Sequence, residues 1–224
     1  MDLILAMDLL GGRVVQGKSG KRSSYTPLTW GLAPSADPMA YLEFMHPKYL
    51  YIADLDGIEG RSSDTALIRS CASLVDRCYV DRGVKTPDDL MNMAGIVNVI
   101  GTETAGTDLA AYHDHFLSLD IRDGKVIPRG EDPFQLLRHA GDLGFPGCIL
   151  LHISSVGTGR GVEDRETLEH YRSLFSGTLF YGGGVRAPED LQRLKDAGFD
   201  GAIIATAVHK GAIPLEWLQR GHQC

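Results

Sequence analysis

Eight short apolar runs recur along the chain, each separated from the next by an amphipathic or turn-rich stretch. They are LILAMD (3–8), YLYIAD (49–54), RCYVD (77–81), VNVI (97–100), FLSLD (116–120), CILLH (148–152), TLFYG (178–182) and GAIIA (201–205). Runs of this length bounded by Gly or Pro read as buried strands. Between them, DPMAYLEFM, DTALIRSCASL, TPDDLMNMA, DPFQLLRHAGDL, DRETLEHYRSLF, APEDLQRLKDAG and IPLEWLQ read as helices, several opened by Asp or Thr ahead of Pro. The stretch between the fourth and fifth strands has the weakest helical pattern. Strand–helix alternation predicts an α/β protein with a parallel sheet, and eight units in 224 residues suit one (β/α)8 TIM barrel domain over residues 1–224. An open, doubly wound sheet is the second arrangement the pattern allows.

An internal repeat favours the barrel. DLLGGRVVQG at 8–17 aligns with DIRDGKVIPRG at 120–130, and DRGVKTPDDL at 81–90 with GGGVRAPEDL at 182–191. Two sets of four units suggest two duplicated half-barrels.

The repeat also decides how to read GRVVQGKS at 12–19, which fits the phosphate-loop pattern of nucleotide hydrolases through Gly12, Gly17, Lys18 and Ser19. Such a loop must open a helix at its Lys-Ser. Val14 and Val15 instead favour a short returning strand, and SGKRSSYTP carries turn chemistry. A nucleotide hydrolase is not expected.

The repeat places Asp8 and Asp120 at equivalent strand ends on opposite sides of the barrel mouth, where barrel active sites sit. Two facing carboxylates can serve as general base and general acid when their surroundings separate their pKa values. Turn capping is the plain alternative for each. For an anion, Gly182, Gly183, Gly184 and Arg186 lead into the helix near Pro188, and Ala205 and Thr206 end the next strand, the usual place of a barrel phosphate site. In the first half Gly83, Lys85, Gly101 and Thr102 remain, but Asp81 and Arg82 replace two glycines, which weakens an anion site unless the cations compensate.

Other residues carry less. Asp54 and Asp56 fit either substrate orientation or turn capping; His152, Ser154, Thr158 and Arg160 end the sixth strand, where Thr158 is a candidate phosphate-binding residue and Arg160 could grip an anion. His113 and His115 lack a third ligand, so no metal is expected. The loop 17–31, basic and bearing Trp30, has the length of a lid.

Bulk properties narrow the partners. A net charge of -7 disfavours a nucleic-acid surface, and no apolar run is long enough for a membrane helix. Cys71, Cys78, Cys148 and Cys224 form no CxxC pair and read as free thiols, and the start MDLILAMD lacks a basic signal region, so a cytoplasmic location is expected. Oligomeric state is left open.

The segments AMDLLGGRVV, ADLDG, SLDIRDGKV, GGGVRAPEDL and GAIIATA resemble the histidine-biosynthesis barrel family, the phosphoribosylformimino aminoimidazole carboxamide ribotide isomerases and the related cyclase subunits. The resemblance runs from Met1 to about Trp217 and is greater to the isomerases, and greater still to an archaeal branch without a settled function. It implies an Amadori rearrangement of a phosphorylated aminoaldose without metal or organic cofactor, with Asp8 as general base and Asp120 as general acid. The family pattern TDIxxDGT becomes LHISSVGT here, putting Leu151, His152 and Val156 in place of Thr, Asp and Asp, and its first GGGIR becomes DRGVK. One phosphate site is retained on this reading, and the expected function is a histidine-biosynthesis-type isomerase acting on a phosphorylated ribosyl substrate. The alternatives are a diverged paralogue, isomerase or lyase, on a different sugar monophosphate, and a phosphate-binding barrel without chemistry.

Overall fold

The computed structural model describes residues 1–17 and 20–223. Its strands are β1 (Asp2–Leu10), β2 (Arg13–Val15), β3 (Tyr49–Asp54), β4 (Arg77–Asp81), β5 (Ile96–Gly101), β6 (Phe116–Arg122), β7 (Lys125–Val126), β8 (Gly147–His152), β9 (Thr178–Gly182) and β10 (Gly201–Ile204). Eight of them pair in parallel in the order β1-β3-β4-β5-β6-β8-β9-β10, and β10 returns to β1 with Asp2 opposite Gly201 and Leu5 opposite Ile204. That closure makes the sheet a (β/α)8 barrel and excludes the open sheet. The other two strands are short antiparallel returns, with Val15 opposite Asp8 and Val126 opposite Ile121. The GRVVQGKS segment therefore contains a strand, while Lys18 and Ser19 themselves lie outside the described residues.

Outside the barrel run α1 (Pro38–Met45), α2 (Leu55–Ile58), α3 (Thr65–Ala72), α4 (Pro133–Asp142), α5 (Arg165–Leu174), α6 (Pro188–Asp196), α7 (Thr206–His209) and α8 (Leu215–Arg220). The side chains of Asp37, Asp64, Asp132 and Asp164 accept N–H groups in the first turns of α1, α3, α4 and α5, satisfying donors that a helix start leaves free.

The helix expected over TPDDLMNMA is absent. Only Pro87–Asp89 make a 3-10 turn, because the buried Asn98 of β5 accepts the Met91 N–H at 2.8 Å and donates to the Met91 carbonyl at 3.0 Å. A side chain that takes both backbone groups holds this segment out of a helix. The β5–β6 connection likewise contains only a 3-10 turn at Leu109–Tyr112.

Alternation divides each strand between two cores. Outward residues such as Leu3, Leu5, Leu50 and Ile52 pack under the helices, while Ile4, Tyr79, Val99, Ile149, Phe180 and Ile203 fill the barrel. The Phe180 ring lies 5.2 Å from Tyr79 and 5.6 Å from Phe116, and a Cβ at Gly147 or Gly201 would collide with Phe116 or Phe180. The lower barrel is thus plugged by aromatics, and open space is left at the carboxyl ends of the strands. Cys71, Cys78 and Cys148 are buried free thiols; Cys224 lies outside the described residues.

Candidate active site

A cavity of about 990 Å³ of atom-free space, its mouth included, opens at that end. Asp8 of β1 and Asp120 of β6 both line it, together with Asp81 of β4 and Tyr51 of β3. Each of the four sits on the inward register of its strand, which is how alternation places polar groups on top of a packed barrel.

The two predicted carboxylates sit in different surroundings. Asp8 is shielded by the loop above it, where a Cβ on Gly17 would collide with its Oδ2, and burial raises its pKa to about 6 despite the Arg22 charge nearby. Asp120 is 3% exposed and held by donors: Ser118 Oγ at 2.8 Å to one oxygen, and the Glu103 N–H at 2.9 Å and Thr102 Oγ1 at 3.4 Å to the other. Burial still carries its pKa upward against these hydrogen bonds.

Asp81 is more perturbed. Its Oδ1 accepts the Gly83 N–H at 3.0 Å, and burial followed by the charge of Asp120 pushes its pKa well up. The spot where a Gly101 Cβ would sit lies 2.8 Å from Asp81 Oδ2 and 3.2 Å from Asp120 Oδ2, so this glycine makes room for both carboxyl groups. Tyr51 is 2% exposed and its hydroxyl has no hydrogen-bond partner; its pKa is raised by burial and by the surrounding Asp81, Asp120 and Asp8.

Gly183, Gly184, Ala205 and Thr206 also line the cavity, at the end opposite Asp81. Gly182 does not, lying under Leu151, whose Cδ1 is 2.8 Å from where its Cβ would be. Arg186 turns outward and holds Asp190 with two side-chain bonds of 2.9 Å. In the first half Gly83, Gly101 and Thr102 serve the carboxylates: Gly83 gives its N–H to Asp81, Gly101 gives space, and Thr102 Oγ1 accepts the Asp120 N–H at 3.0 Å.

The secondary candidates take structural roles. Asp54 accepts the Gly57 N–H at the start of α2, and Asp56 accepts the Gly11 N–H and Arg61. Thr158 Oγ1 donates to the Ser155 carbonyl, Ser154 pairs with Asp123, and Arg160 is exposed. His152 stacks on Tyr181 behind the wall, its pKa lowered by burial to about 4. No group of three metal-ligand side chains gathers among the described residues. The long loop does cross the site: both terminal nitrogens of Arg22 bond the Glu103 carboxylate beyond β5, while Trp30 leans on His209 with ring centroids 5.5 Å apart.

Sequence reasoning missed Tyr51 and the Arg22–Glu103 pair. The alternation of YLYIAD, which puts Tyr49, Tyr51 and Ala53 on one face, was the signal for the first. Nothing local signals a pair that is 81 positions apart.

Comparison with known proteins agrees with this architecture. A family profile described as "Histidine biosynthesis protein" matches residues 2–214. An uncharacterized protein of Methanocaldococcus jannaschii is 34% identical over 96% of both chains. A 1-(5-phosphoribosyl)-5-((5-phosphoribosylamino)methylideneamino) imidazole-4-carboxamide isomerase of Dehalococcoides mccartyi is 32% identical over 96% of this chain and 97% of its own. The enzyme of that name from Thermococcus kodakarensis is 28% identical over 100% and 98%. The chain belongs to the histidine biosynthesis protein family.

Proposed function

We propose that the protein is an aldose–ketose isomerase that carries out an Amadori rearrangement on a phosphorylated aminosugar. The observation that supports this most is the pair Asp8 and Asp120, a half-buried and a buried carboxyl group facing one cavity from different strands. Asp120 gives a proton to the ring oxygen as the C1–O bond opens; burial raises its pKa and that of Asp8 alike to about 6, so position rather than a pKa difference divides the acid and base roles. Asp8, ionised, removes the C2 proton to form the enolamine; the proton returns at C1 as the C2 hydroxyl gives up its own, leaving the aminoketose. A base with a pKa of about 6 is matched to proton transfer near neutral pH. The phosphate rests on the loop of Gly183 and Gly184 and the turn at Ala205 and Thr206, in the position usual for barrels.

The named relatives act on a substrate bearing two phosphoribosyl groups. Asp81 stands where a second phosphate would need an N–H, and that N–H, from Gly83, is already taken. We therefore assign a substrate with one phosphate. The test is exchange of the C2 proton in heavy water, using the relatives' substrate and smaller aminoaldose monophosphates. Exchange by the wild-type protein that disappears in Asp8→Asn is expected; a folded wild-type protein that exchanges none of them overturns the assignment.

A further inference from the structure

Three carboxyl groups, Asp8, Asp81 and Asp120, face the cavity, and the cation that lines it among the described residues, Arg22, is bound through both terminal nitrogens to Glu103. Among the described residues no Lys, Arg or His makes an ion pair with any of the three. Buried carboxylates without a counter-charge are costly and invite a cation or a proton. Asp120 is already satisfied by Ser118, Thr102 and the Glu103 N–H. Asp81 is not: Oδ1 has Gly83, while Oδ2 faces the space beside Gly101. Next to this cluster the Tyr51 hydroxyl, 2% exposed, lines the cavity with no partner.

We propose that this end of the cavity is a binding subsite for a primary ammonium group, carried by the substrate at the end away from its phosphate and held by Asp81 Oδ2 and the Tyr51 hydroxyl oxygen. The proposal rests on the isomerase reading for the phosphate at the other end. An ammonium has three donors and no acceptor, so a carboxylate oxygen and a phenol oxygen meet two of its needs, and the phenol proton is left to bond a neighbouring carboxylate. A second phosphate fits badly, since it would meet Asp81 and Asp120 with no free cation lining the cavity among the described residues. A divalent ion fits badly too, because no three metal-type ligands converge among the described residues.

The groups facing the subsite are Asp8 from β1, Tyr51 from β3, Asp81 from β4, Glu103 after β5, Asp120 from β6, and Arg22 from the loop above. The ammonium replaces the proton that Asp81 otherwise retains.

Calorimetry with a graded series of alkyl phosphates, ω-hydroxyalkyl phosphates, ω-aminoalkyl phosphates and alkane bisphosphates tests this. At the best chain length the amine is expected to bind about tenfold or more tightly than the alkyl and hydroxyl probes, the size of a charge-assisted hydrogen bond. The bisphosphate gains nothing. Asp81→Asn and Tyr51→Phe each remove the amine's gain and leave alkyl phosphate affinity unchanged, which also shows that the variants are folded. Equal binding of amine and alkyl probes at every length, or tighter binding of a bisphosphate, overturns the subsite while the phosphate reading stands. Failure of every probe and of inorganic phosphate to bind overturns the phosphate reading, and the subsite with it.

Discussion

The loops after β4 and β9 are built alike on the outside and differently on the inside. Outside, Lys85 N–H donates to Asp89 at 3.0 Å and Arg186 N–H donates to Asp190 at 3.0 Å, and a glycine with positive φ, Gly83 or Gly184, makes the same turn. Inside, Asp81 lines the cavity at the end of β4, whereas at the end of β9 Gly182 lies under Leu151 and Gly183 lines the cavity. The shared layer is what the chain needs in order to turn from a strand back along the barrel. The layer that differs faces the cavity and sets what the cavity holds. A barrel can therefore keep its frame while one end of the site changes from accepting an anion to opposing one.

The largest effect is expected where the two halves still correspond. Asp8→Asn and Asp120→Asn should each lower turnover by about 10²–10⁴-fold, the usual weight of a general base or acid. Turnover by the wild type should fall as pH drops below about 6, where Asp8 is protonated. The same Asp8→Asn change should stabilise the fold. The folded value, near 6, lies above the ordinary 3.8, so the folded state binds the proton more tightly and loses stability as pH rises between the two. Asn has no such loss. Denaturant unfolding should show the variant more stable by about 2–3 kcal/mol at neutral pH, with the gain gone near pH 4. A gain independent of pH would mean that Asp8 is not the buried acid described.

The next effect separates frame from site within one loop. A Cβ at Gly184 would sit 2.5 Å from the Gly161 carbonyl oxygen at φ +88, so Gly184→Ala should destabilise by about 2 kcal/mol or more. Gly83→Ala should match it, since its Cβ would lie 2.6 Å from the Ile58 Cα at φ +70. Gly182→Ala meets only the movable end of Leu151 and should cost under about 1 kcal/mol. Thermal unfolding of the three variants orders them. A cheap Gly83→Ala would break the equivalence of the two turns.

The eight strands were legible because a buried parallel strand is a local signal: a short apolar run with turn chemistry at each end. Asp8 and Asp120 were legible through the repeat and the rule that sites crown a barrel. The failed helix at TPDDLMNMA shows the limit, for its Thr-Pro start is a sound capping signal and is present as a 3-10 turn. What stops it is Asn98, a β5 side chain that takes the Met91 backbone groups. Arg186 shows the same limit in the site. Its place after three glycines pointed to an anion, yet the nearer carboxylate of Asp190 claims it. Asp81 could be seen in the sequence as a departure, but its burial beside Asp120 depends on strand neighbours that only the closed barrel supplies.

The smallest expected effect tests the comparison most directly. Asp81→Gly makes the end of β4 like the end of β9: it frees the Gly83 N–H, removes one of two crowded carboxyl groups, and leaves the turn at Gly83 untouched. Affinity for an alkane bisphosphate should then rise about tenfold, as an anion gains a donor and loses a repelling neighbour, while affinity for an alkyl monophosphate stays level. If Asp81→Gly gains no bisphosphate affinity, the inner layers of the two loops differ by more than this carboxylate. Arg82→Gly in the same background, which completes the three-glycine run, would then be the change that separates them.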